Sequence, residues 1–110
     1  MADMSKRIVH HQRLAWDCAR AFVALIDDDR DCAWLLARTR ELLGADYELA
    51  LSDARARLLW GGRRDAASIE AGLWRARVED LLAERPGLSP ALESLVEAAR
   101  TRAAQPYAYR

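Results

Sequence analysis

The sequence predicts one small all-α domain, a bundle of about five short helices. Three observations predict it. Apolar residues recur at alternating spacings of three and four, the composition is rich in Ala and Leu but poor in Val, Ile and Phe, and Gly or Pro punctuates the chain at intervals of helical length. A chain of 110 residues is of ordinary single-domain size and buries roughly two-thirds of its unfolded surface. Residues 1–105 are therefore expected to form the helical domain, with 106–110 as a flexible tail that includes Tyr107 and Tyr109.

The first helix is expected from Ser5 as N-cap. Its stripe is Ile8, His11, Ala15, Cys18, Phe22 and Leu25, widened by Leu14, Ala21 and Ile26. The acidic run Asp27-Asp28-Asp29-Arg30-Asp31 then makes a turn whose short carboxylates cap the next helix and meet the positive end of its dipole. That second helix, from about Arg30 to Leu43, lines up Cys32, Leu35, Leu36, Thr39, Leu42 and Leu43 and stops at Gly44.

Asp46 is expected to start the third helix, with Tyr47, Leu51, Ala54 and Leu58 facing inward. Trp60-Gly61-Gly62 ends it, because paired glycines tolerate the left-handed backbone of a tight turn. Asp65 caps a fourth helix facing inward through Ala71, Trp74, Val78, Leu81 and Leu82, with Ile69 and Leu73 beside them, and Pro86-Gly87 stops it. Ser89 as N-cap and Pro90 at the first helical position open the fifth, which buries Leu92, Leu95, Val96 and Ala99 and ends by Gln105 before Pro106.

Seventeen basic and seventeen acidic residues cancel, so no whole-chain field draws the protein to nucleic acid or to an anionic membrane. Met1 to Arg7 has no apolar signal-type segment behind it, and no stretch reaches the roughly eighteen apolar residues of a span. A cytoplasmic protein with reduced Cys18 and Cys32 is expected, and no membrane partner.

The residues offer little chemistry. His11 and Cys18 lie two turns apart on one helix, about 10 Å, too far to share a zinc ion. No base is placed against either thiol by sequence, and the glycines match neither dinucleotide nor phosphate loops. No catalytic residue, metal or cofactor is expected.

Charge is nonetheless uneven. Residues 55–77 carry Arg55, Arg57, Arg63, Arg64, Arg75 and Arg77 against Asp65 and Glu70, a local excess of about four positives, while the first 54 residues are net acidic. Trp60 and Trp74 are interleaved there, and Arg and Trp are favoured at interface hot spots. Arg55, Arg57, Trp60, Arg63, Arg64 and Arg75 are thus the candidate partner-binding residues. A helix-turn-helix reading of helices two and three fits poorly, since Tyr47, Glu48 and Leu49 occupy the end that would read bases.

The run Trp74-Arg75-Ala76-Arg77-Val78-Glu79-Asp80-Leu81-Leu82, then Pro86 and the helix from Leu92 to Arg100, resembles a segment of small uncharacterised helical proteins of actinobacteria. There a Trp-Arg-x-Arg-apolar helix passes through Leu-Leu and a proline or acidic turn into a Leu-rich last helix. The resemblance covers the C-terminal quarter and implies a helical fold without an activity. The expected function is a non-enzymatic protein–protein interaction module, an adaptor or small accessory subunit that self-associates or binds another protein. The alternatives are a small nucleic-acid-binding regulator using the basic 55–77 region, or an enzyme of unidentified class.

Overall fold

The computed structural model describes residues 2–105, with side chains from His10 to Gln105; the 106–110 tail lies outside the described residues. Five α-helices form the expected bundle: α1 Ala2–Leu25, α2 Asp29–Leu43, α3 Ala45–Trp60, α4 Ala66–Glu84 and α5 Ser89–Ala104. A single 3-10 turn, Pro86–Leu88, joins the last two. α1 is the central element, packed most extensively on α4 and then on α5, while α2 lies mainly on α3.

The predicted stripes supply the core, with His11, Ala21, Leu36, Leu42, Leu43, Tyr47, Leu58 and Ala71 only partly buried and the Ile8 side chain outside the described residues. Leu14, Ala15, Cys18, Ala19, Phe22 and Leu25 of α1 meet Trp74, Val78 and Leu82 of α4 and Leu92, Leu95, Val96 and Ala99 of α5 in one core, joined by Cys32, Leu35, Leu51 and Ala54. Ile26, just past α1, is also fully buried, its amide donating to the Phe22 carbonyl at 3.1 Å.

Several helix ends differ from expectation. α1 begins at Ala2, so Ser5 lies within it. α2 begins at Asp29 because Asp28 is its N-cap, accepting a 2.9 Å hydrogen bond from the Asp31 amide. Gly44, at φ 98°, both ends α2 and precedes α3, which places Asp46 in the first turn of α3 as a dipole-complementing acid. Asp65 holds the N-cap position of α4 without capping it, since its carboxylate receives Arg63 at 3.1 and 3.3 Å. Ser89 has helical backbone angles continuing from the 3-10 turn, and its buried hydroxyl has no hydrogen-bond partner, so it is the first helical residue of α5 and not its cap.

Polar ties fix how the helices meet. Arg102 of α5 donates at 2.9 Å to the buried Asp31 of α2 while its guanidinium lies 5.2 Å from the centre of the Trp34 ring. Arg100 reaches Asp17 at 3.2 Å and His10 reaches Glu93 at 2.7 Å, both joining α5 to α1. None of the described helices is long and apolar enough to cross a membrane.

Candidate interaction surface

The α3–α4 hairpin carries apolar residues on two faces. Along α3 the inward line is Leu51 and Ala54, both fully buried. Leu49, Ala56 and Trp60 follow one another at helical spacings of seven and four, and fall opposite that line. Leu49 is 62% exposed and Trp60, the last residue of α3, is 83% exposed. Leu59 beside it is exposed too, as are Ile69 and Leu73, one turn apart on α4.

The turn at residues 61–65 explains why Trp60 is left outside. The Gly61 amide closes α3 on the Arg57 carbonyl at 3.0 Å, and a Cβ at this position would lie 2.5 Å from that carbonyl oxygen. Gly62, at φ 68°, then reverses the chain in the left-handed region that glycine alone enters freely. The reversal begins directly after Trp60, before α4 can cover the indole.

The arginines of residues 55–77 are not a free basic field. Arg55 crosses to Asp29 of α2. Arg57 grips Glu70 through two guanidinium hydrogen bonds, the outer one at 3.0 Å. Arg63 holds Asp65, and Arg75 pairs with Glu79 one turn along α4. Arg77 lies 5.2 Å from the centre of the Trp74 ring. The hydrogen bonds that Arg55 donates to Asp29 and Arg57 donates to Glu70 raise the pKa of both arginines, although burial opposes the rise, so these two guanidiniums stay charged and engaged.

The six residues singled out from sequence therefore occupy three places. Trp60, Arg63 and Arg64 sit at the tip of the hairpin with Arg57 one turn below, Arg55 faces α2, and Arg75 faces α1. There Arg75 and Arg20 flank Trp16, at 5.5 and 5.3 Å from the ring centre, beside an open cleft of about 480 Å³ lined also by Gln12, Arg13 and Glu79. Glu70 is the structural residue that the sequence reading missed, counting it only as a charge although its spacing to Trp74 signals burial. It occupies an inward position of α4 four residues before Trp74 and is 2% exposed.

Both histidines and Cys18 lie on α1, and Cys32 lies on α2. His10 is exposed against Glu93 and His11 is half-buried, its ring 6.2 Å from that of His10. Among the described residues no group of three or more His, Cys, Asp and Glu side chains is arranged to hold a metal. Cys18 and Cys32 are free and buried. Burial pushes the Cys18 thiol up to about 12, with Asp17 adding to the rise and Arg100 opposing it; burial likewise raises Cys32. A neutral, enclosed thiol is a poor nucleophile.

This raised pKa has a pH consequence. An unfolded thiol ionises near pH 8.5, so between there and about 12 the unfolded chain releases a proton that folded Cys18 keeps. Stability is therefore lost as pH rises through that window. Denaturant unfolding of the wild type and of Cys18→Ala at pH 8 and pH 10 should show a loss greater by about 2 kcal/mol in the wild type. Equal losses would refute the assignment to Cys18.

Comparison of the chain with protein-family models, with curated proteins and with solved structures finds no match.

Proposed function

We propose that the chain is a non-enzymatic protein–protein interaction module, an adaptor or small accessory subunit, that docks through the outward face of the α3–α4 hairpin. The observation that carries this reading is the exposure of Trp60, with Leu59, Ile69 and Leu73 on the same hairpin. Large apolar side chains gathered on one surface gain free energy only when something removes them from water, and a Trp at the tip is the residue type most often found at interface hot spots.

The arginines act as a rim. Four of the six between residues 55 and 77 engage carboxylates of this chain, which leaves little unengaged positive charge for a phosphate backbone and supports protein over nucleic acid as partner. A cytoplasmic setting belongs to the same reading, supported by two buried thiols that remain unpaired.

Affinity capture from the native cell tests it, using tagged wild type, Trp60→Asp and the Arg63→Glu/Arg64→Glu double variant. Trp60→Asp should lose the captured protein by more than tenfold, and the double variant by less, because rim charges contribute modestly. Undiminished capture by Trp60→Asp would overturn the assignment.

A further inference from the structure

We infer that the partner covering the outward α3–α4 face is a second copy of this chain, which rests on the interaction-module reading above and names its occupant. The exposed parts of Leu49, Leu59, Trp60, Ile69 and Leu73 amount to roughly 600 Å² of surface, contributed mainly by their side chains, against about 800 Å² per partner in a standard interface. Exposed Ser52 and Ala56 on α3, and Arg64 in the turn between the two helices, extend it toward that area.

Charge favours a copy over a strongly acidic or basic partner. The chain has zero formal net charge, so two copies approach without repulsion. Arg57 and Arg63 on the hairpin already hold Glu70 and Asp65, which leaves an acidic partner little to recognise. What remains is an apolar face that complements itself. Two hairpins related by a two-fold axis form a four-helix layer in which each supplies the second apolar cover that the other lacks. Interfaces at the small end of the size range are characteristic of transient association, so the dimer is expected to form and separate with concentration.

Size-exclusion chromatography with light scattering, on the full chain from about 1 to 200 µM, reads this directly. The wild type should pass from the 12.4 kDa monomer to twice that mass, with tryptophan emission shifting to the blue as Trp60 leaves water. Trp60→Asp and, separately, Leu73→Asp should stay monomeric with unchanged far-UV circular dichroism, since both positions are exposed. The emission shift should vanish in Trp60→Phe. A wild type that remains monomeric throughout would overturn the second-copy inference. In that case, loss of cellular capture by Trp60→Asp would leave the interaction-module reading standing. A dimer unaffected by both aspartate variants would place the contact elsewhere and overturn the inference as well.

Discussion

Trp74→Ala is expected to lower the unfolding free energy by about 4 kcal/mol, a large share of what a domain of this size possesses. Trp74 is 2% exposed and sits edge-on to Phe22, ring centres 5.6 Å apart at 78°, where α1 and α4 make the most extensive contact in the bundle. Truncation leaves a cavity that neighbours on α1 and α5 cannot fill without moving whole helices. It also removes the edge-to-face contact and the ring beneath Arg77. Thermal unfolding should shift down by roughly 15–30 °C. Trp60→Ala, on the same hairpin but exposed, should change monomer stability by less than about 0.5 kcal/mol. Comparable losses in the two variants would contradict the division of the tryptophans into a core residue and a surface residue.

That division was partly legible in the sequence. Trp74 stands on the line of Val78 and Leu81, and Trp60 stands nine residues after Leu51, half a turn out of phase with the α3 stripe, so helical spacing alone separates them. The five helices were legible for the same reason: a stripe and a breaker are local signals. Helix ends were less so, because a capping residue has alternatives that only the fold decides. Asp65 prefers Arg63 to its own helix, and the 3-10 turn at Pro86 carries helical geometry into Ser89. Ion pairs between helices were not legible at all. Arg102 and Asp31 are 71 positions apart and meet only because α5 packs across the start of α2. The stretch 55–77 looked basic because the chain order lists its arginines together, while their carboxylates arrive partly from elsewhere, as Asp29 does from α2.

The clearest consequence of that pairing concerns Arg57 and Glu70. The Glu70 carboxylate is 3% exposed and accepts two hydrogen bonds from Arg57, whose own side chain is about half in water. Removing the arginine leaves a carboxylate enclosed between two helices, whereas removing both charges leaves an apolar site. Arg57→Ala should therefore cost about 2–3 kcal/mol, Glu70→Leu less than about 1, and the double variant little more than Glu70→Leu alone. Denaturant unfolding of the four proteins measures the coupling, expected near 2 kcal/mol, and a value within about 0.5 kcal/mol of zero would show that the pair does not hold the hairpin. The same cycle sorts Arg57 among the candidate binding residues. If its task is to hold α3 against α4, the stable Arg57→Ala/Glu70→Leu protein should still associate through Trp60 and Leu73. A guanidinium that reached the partner directly would be missed in that variant, and association would weaken although the fold was intact.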